Sequence, residues 1–598
     1  MGIPQLTKHL LPYADSVVLG EVPAGQEADE HTIDETARVR SVVIDGPSLV
    51  YHLYYRLLAW MNPAHDVLDV QPTCDEVSRA VVTCLSELSR RGVQIRKICF
   101  DGALPVSKRE TRLARIDKSR QKLDAFRRRE PTSSRQWREE VSLPPHQLWQ
   151  GRTLPARWKN LPENPFMVSA VFEDLRTRWS RAQILYYTDC ETADLPEGDY
   201  PWADLTVMTS GEADVECANV SKQTGSAILT NDSDLIVHDL GADGSVVFLN
   251  SVHLISGIGD GKGIESQSRS GSGSGSGLDS SSNYRINAMR LHPRNLARRL
   301  GIHDLQLFAF HLNEDPHLGF AELVRRSHGQ EGSVSVKYRE FQREYQQAAE
   351  DSLSVSNLRT VSDLDPRVSE LVWQYERRDV FCATGNPHVY LGILVEDSSR
   401  RCSWGFGSFY RVLGYSLLNQ AYLLDKRFSG ISEYARRGTR VVAEQITLDD
   451  AETARVNLSS VEESLQLARD AFEADDQSTF WIMFALADIY CDVENQASLP
   501  DAVHLERFLT KGFLGKRTEW IDIHLCAQIH AVLYSLRILQ QLLRVLPDSE
   551  HLDGRNRLIL QDLPPLHGLI PSRQEMVRRF SGNGTAHRLV QKMFATFC

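Results

Sequence analysis

Four carboxylates stand in two close pairs within one short stretch, Glu212-Ala213-Asp214 and Asp232-Ser233-Asp234. Clustered carboxylates without a His or Cys pair at metal-ligand spacing are hard oxygen donors, suited to Mg2+ or Mn2+ and not to zinc or copper. Two such ions about 4 Å apart can clamp the attacking and leaving oxygens of an in-line phosphoryl displacement, and one of them lowers the pKa of the attacking water. Phosphodiester hydrolysis is the reaction that fits. For any single pair a plainer reading stays open, since helices and turns carry surface acids anyway.

The elements that must position these groups can be read around them. The run Ala227, Ile228, Leu229, Thr230 reads as a buried strand that ends just before Asp232, and Ala213, Val215, Cys217, Ala218 and Val220 have helical spacing after the first pair. Two further apolar runs, 41–45 and 97–101, each end in Asp-Gly, as Asp45-Gly46 and Asp101-Gly102. Three strands thus bring an aspartate to their carboxyl ends, where open α/β sheets bind ligands. Helical patterns at 49–60 and 75–91 between the first two strands give the order of a parallel sheet with covering helices. Asp45, Asp101, Glu212, Asp214, Asp232, Asp234 and a later acid, Asp315, would together outweigh the charge of two divalent ions. Some of them would then act through water, and the metal-free site would repel a phosphate.

The formal net charge is −12, so a nucleic-acid partner needs a local basic surface. Residues 105–140 supply twelve basic residues, Lys108, Arg109, Arg112 and Arg115 among them, against six acidic ones. A solvated helix face is the other reading of such a run. Trp149, Arg152, Arg157, Trp158 and Lys159 interleave aromatics and bases, either to stack on unpaired bases or to pack back on the domain.

At 598 residues, the chain is long enough for more than one domain. A Gly/Ser-rich insertion at about 256–283 interrupts the first, which is expected over 1–334. From 335 to 598 helical periodicity dominates, giving a mostly α-helical C-terminal domain with no recognisable motif. The ten cysteines are scattered without a C-x-x-C pair, and the most apolar stretches are broken by polar residues. With no secretory signal evident, the expectation is a soluble, intracellular protein with reduced thiols, no zinc site and no membrane span.

Taken in order, Met1-Gly2-Ile3, Val43-Ile44-Asp45 with Tyr51 six residues on, Phe100-Asp101-Gly102, Lys108 and Arg115 seven and fourteen residues after Asp101, and then the two acid pairs make one pattern. This pattern resembles the flap endonuclease and XPG superfamily of structure-specific nucleases, and more narrowly its Asteroid branch, over roughly residues 1–330. The resemblance implies a PIN-like α/β fold, a parallel sheet with covering helices and a basic helical arch. It implies that the seven acids serve two Mg2+ ions, or Mn2+, and that Asp45, Asp101 and Asp232 take part in catalysis with Lys108 and Arg115. Those two bases would contact the scissile phosphate from the base of the arch. Tyr51 would stack on a base, and Gly2, Arg109 and Arg112 would lie against the substrate. The implied substrate is branched or single-stranded DNA, or RNA, and the implied setting is DNA repair in the nucleus, or the cytoplasm.

Two departures bear on this. Asn313 replaces the glycine that normally precedes the last aspartate, Asp315, and the Gly-x-Gly element that grips duplex DNA is missing around Phe320. The main rival is a catalytically inactive PIN-like scaffold that binds RNA or protein, although a scaffold has no need to hold four repelling acids together. A phosphomonoesterase is a third reading, weakened by the lack of Asp-x-Asp after the first strand.

Overall fold

The computed structural model describes residues 3, 5–21, 37–62, 69–130, 138, 140–256, 284–328, 336–346, 364–378, 382, 385–473, 476–491, 499–546, 558–582 and 584–597. Gly2 and the Gly/Ser-rich insertion from 257 onward therefore lie outside the described residues.

Nine strands form one sheet: β1 Asp15–Leu19, β2 Arg38–Val39, β3 Ser41–Asp45, β4 Gln94–Phe100, β5 Thr206–Met208, β6 Ala227–Thr230, β7 Ser245–Phe248, β8 His253–Ser256 and β9 Tyr284–Leu291. Their spatial order is β2-β1-β9-β7-β6-β3-β4-β5, with β8 on β9. The run from β7 to β5 is parallel, and β9 is antiparallel to its neighbours. This is the α/β PIN-like arrangement expected from the sequence.

The carboxyl-terminal parts of β3, β4 and β6 are buried runs because both faces of the sheet are covered there. Val42 and Ile44 pack into a core with the helices Gly46–Trp60 and Cys74–Arg90, while Val43 points into another with the helices Ala213–Thr224 and Leu305–Glu314. The two Asp-Gly pairs have a steric cause. A Cβ on Gly46 would stand 2.7 Å from the Phe100 ring and 2.8 Å from the Cys99 carbonyl oxygen, and one on Gly102 would stand 1.8 Å from the Thr209 oxygen. Only glycine lets the chain turn there against the next strand.

The C-terminal region is mostly helical, as expected. The helix Trp520–Val545 is buried along most of its length and packs against Ser408–Ala421. Gly414 allows the approach, since a Cβ there would meet Leu542 Cδ1 at 2.9 Å. The region also contains a small sheet, β10 His388–Tyr390, β11 Gly430–Arg437 and β12 Arg440–Thr447, in that order. Gly438, at φ 56°, makes the tight turn of the β11–β12 hairpin.

The two regions share their packing. Phe166 and Ala170 of the first sit in the C-terminal core, and Ile393, Trp520 and Ile523 of the second sit in the core beneath the large sheet. Arg573 pairs with Asp69, and Arg367 Nη2 donates to the Pro165 carbonyl at 2.7 Å. The helix Val336–Gln346, placed by sequence at the start of the second domain, buries Tyr338 and Phe341 on the first, next to Phe310. Among the described residues no helix is long and apolar enough to cross a membrane, and the nine described cysteines are free thiols.

Candidate active site

Four adjacent strands, β6, β3, β4 and β5, point their carboxyl ends at one cleft of about 990 Å3. Asp45 ends β3, Asp101 follows β4, Asp232 and Asp234 follow β6, and Glu212 and Asp214 open the helix after β5. All six line the cleft. The backbone holds several of them in place. Asp45 caps the helix Gly46–Trp60 by accepting from the Ser48 amide at 3.1 Å, and its other oxygen accepts from Thr230 Oγ1 at 2.6 Å. Asp101 accepts from the Ala213 amide at 2.8 Å, Asp232 from the Asp234 amide at 3.0 Å, and Asp234 from the Ile3 amide at 2.6 Å.

Burial and mutual repulsion disfavour the charged forms of Asp45, Asp101, Glu212, Asp214 and Asp234. Burial raises Asp45 to about 7, opposed by Thr230 and reinforced by Asp101. Burial and then Asp232 raise Asp234 to about 7, with the Ile3 amide opposing. Asp214 is raised well above the carboxylate range, by burial first and then by Asp232, Asp45, Asp101 and Glu212. Asp101 and Glu212 are also raised by burial; Ala213, Arg112 and Arg115 oppose this at Asp101, and Lys108 opposes it at Glu212. A divalent cation would reverse this balance, because it stabilises the ionised form of every one of them.

The donor set suits a hard cation: carboxylates, with neither thiol nor imidazole within the cluster. Among the described residues no three His, Cys, Asp or Glu side chains converge on one ligating point.

Lys108 and Arg115 line the same cleft, with Lys108 Nζ 3.6 Å from Glu212 Oε1. Tyr51 lines it too and is 43% exposed. Three other expected site residues are placed differently. Asp315 is not among the cleft-lining side chains; it ends the helix Leu305–Glu314, and its Oδ1 accepts from the His317 amide at 3.0 Å. Arg109 faces the C-terminal region, next to Gln374, His388 and Tyr390, because the first turn of its helix is wedged against that region. Arg112 borders the cleft, yet its guanidinium pairs with Glu370 at 2.5 Å and lies 4.1 Å over the Tyr390 ring.

The basic helix Arg109–Arg129 thus spends much of its charge inside the protein. Arg120 pairs with Asp117 and Asp124, Lys122 with Glu163, and Arg127 with Asp397. The tryptophans of the following tract pack back on the domain: Trp149 and Trp158 are buried in the core, whereas Arg152 lies 4.9 Å over the Trp60 ring and reaches the cleft.

Of one wall, sequence reasoning found only Tyr51. Ser48, His52, Tyr55 and Arg56 line the cleft from the helix Gly46–Trp60, together with Asn231 and Asn250. Burial and then Arg56 push His52 down to about 3, so it stays neutral. Polar residues at spacings of three and four in an otherwise apolar helix were the available signal.

Residues 163–448 match a family described as XPG domain containing. This supports a place in the XPG and PIN-like nuclease superfamily. The matched segment covers both acid pairs and runs through the β11–β12 hairpin, but begins after Asp45, Asp101 and the basic helix. A comparison with curated proteins finds no match.

Proposed function

We propose that the protein is a metal-dependent, structure-specific nuclease that hydrolyses phosphodiester bonds in DNA. The observation that carries this reading is the convergence of four strand ends, with six carboxylates, on one cleft that also presents Lys108 and Arg115. Asp45, Asp101, Glu212, Asp214, Asp232 and Asp234 would hold two Mg2+ or Mn2+ ions, which supply Lewis acidity and charge neutralisation when bound. Lys108 and Arg115 would hold the oxygens of the scissile phosphate, a charge-assisted contact in which Arg115 can be bidentate. Tyr51, exposed at the cleft, would stack on a neighbouring base. Asp315 has no part in this set. The substrate would be branched or single-stranded DNA, and the setting DNA repair in the nucleus.

The test is a panel of labelled single strands, flaps, overhangs and duplexes incubated with Mg2+, Mn2+ or EDTA. Cleavage should require the metal and disappear in the double variant Asp232→Ala, Asp234→Ala; cleavage that survives in the variant ends the assignment.

One observation favours a catalytically inactive scaffold that binds RNA or protein: the docked basic helix, with Arg112 engaged by Glu370. Such a scaffold would bind its partner equally well in EDTA, which isothermal titration reads directly.

A further inference from the structure

The acid cleft continues past the basic helix. Behind it lies a second cavity of about 320 Å3, and six residues, Pro47, Tyr51, Asp101, Leu104, Arg112 and Arg115, wall both. The two therefore adjoin through shared walls. The far wall belongs to the C-terminal region, through Pro366, Arg367, Tyr390 and Ile393.

Three features define what could enter. The volume is at the low end of the ~300–1,000 Å3 typical of a site for one small ligand, so it suits a single nucleotide and not a base pair with its backbones. The walls combine rigid apolar surface, from Pro47, Val168, Pro366 and Ile393, with a fixed planar cation, and the two acids on the same walls, Glu163 and Glu370, are neutralised by Lys122 and Arg112. The fixed cation is Arg367, locked by hydrogen bonds to the Tyr390 carbonyl at 3.3 Å, the Tyr534 hydroxyl at 2.8 Å and the Pro165 carbonyl at 2.7 Å. Finally, the roof is pinned. Arg112 to Glu370 at 2.5 Å, Arg127 to Asp397 at 2.6 Å and the Trp520 indole to the Glu130 carbonyl at 2.7 Å tie the basic helix to the C-terminal region.

We propose that the second cavity is a nucleotide subsite, built jointly by the basic helix and the C-terminal region, that receives the unpaired nucleotide next to the scissile phosphate of single-stranded DNA. The inference rests on the nuclease reading for the identity of the strand in the cleft. Apolar faces would cover the base, and Arg115 and Arg367 would meet its phosphate or its carbonyl edge. The C-terminal region would thereby help select the substrate.

The test fills the cavity from two different helices, with Val168→Trp in one variant and Ser119→Trp in another. Binding is read by fluorescence anisotropy of a short labelled single strand in Ca2+. Each variant that keeps the wild-type melting temperature should bind about tenfold more weakly, in line with the loss of one stacked base. On wild-type protein, a single abasic site stepped along the oligonucleotide should weaken binding at one position, and at that position it should cost Val168→Trp nothing further. Affinities within about twofold of wild type in both variants, or a flat abasic scan, would overturn the proposal. The nuclease reading fails separately: if wild-type protein shows the abasic dependence but cuts nothing in Mg2+, the subsite stands and catalysis does not.

Discussion

Two regions of this molecule bury carboxylates and treat them in opposite ways. In the C-terminal region Glu433 lies against Arg411 at 2.8 Å and Glu396 against Arg436 at 2.7 Å, each pair almost wholly out of solvent. In the acid cleft, among the described residues, neither Asp45 nor Asp214 has a guanidinium or ammonium partner, and the nearest charges they feel are other acids. A buried pair of opposite charges holds a structure together only while both members are present. A buried cluster of one sign strains the structure, and its persistence points to a ligand of the other sign. The contrast separates charge that serves the fold from charge that serves a site.

The comparison can be broken most sharply in the cleft. Asp232→Ala with Asp234→Ala should lower the cleavage rate by about a thousandfold or more, since each lost ligand removes charge stabilisation worth several kcal/mol. Urea unfolding in EDTA should meanwhile show no loss of stability. A double variant that is less stable without metal would mean these acids serve the fold.

In the C-terminal region the opposite is expected. Glu433→Ala leaves Arg411 buried without its partner and should cost about 3–5 kcal/mol in urea unfolding. Tyr415, whose hydroxyl donates to Glu433 at 2.8 Å, would lose its acceptor too.

Acidity gives a third handle. Asp45 and Asp234 rise from 3.8 to about 7 on folding, so the native state keeps protons that the unfolded state has released. Their contribution to stability is fully present below 3.8 and is lost as pH climbs through about 7. The melting temperature of the EDTA-treated protein should therefore fall across this window, and Mg2+ should flatten the fall. A melting temperature that climbs with pH in EDTA would show that the acids are stabilised as anions by the protein itself.

The smallest effect concerns the link between the two regions. Glu370→Gln releases Arg112 from its ion pair, and one added phosphate contact should steepen the salt dependence of single-strand binding by about 0.7 in log-log slope. An unchanged slope would mean that Arg112 stays over Tyr390 and never reaches the strand.

How much of this was legible beforehand depended on how local the cause was. Asp45 and Asp101 could be read as strand-end acids because the apolar run, the aspartate and the glycine sit within a few residues, and the glycines answer a clash with the adjacent strand. The small sheet in the C-terminal region was missed although Gly438 marks its turn, because helical periodicity on either side dominated the reading. The surroundings of Arg109 and Arg112 were not legible for a different reason. Their helix was apparent, but which side it turns to the cleft is set by Glu370, Tyr390 and Asp397, residues more than two hundred positions away. Asp315 followed the order of the pattern, yet the end of its helix delivers it to a turn outside the cleft.

By itself, then, the sequence determined which groups stand at the carboxyl ends of the central strands, since the doubly covered end of each strand is a short apolar run and the acid follows it within a residue or two. Tertiary structure alone decided how the basic helix is oriented, how much of its charge is neutralised and that a second cavity opens behind it. Those outcomes arise where two separately patterned regions meet, and contacts between distant segments leave no periodic trace in either one.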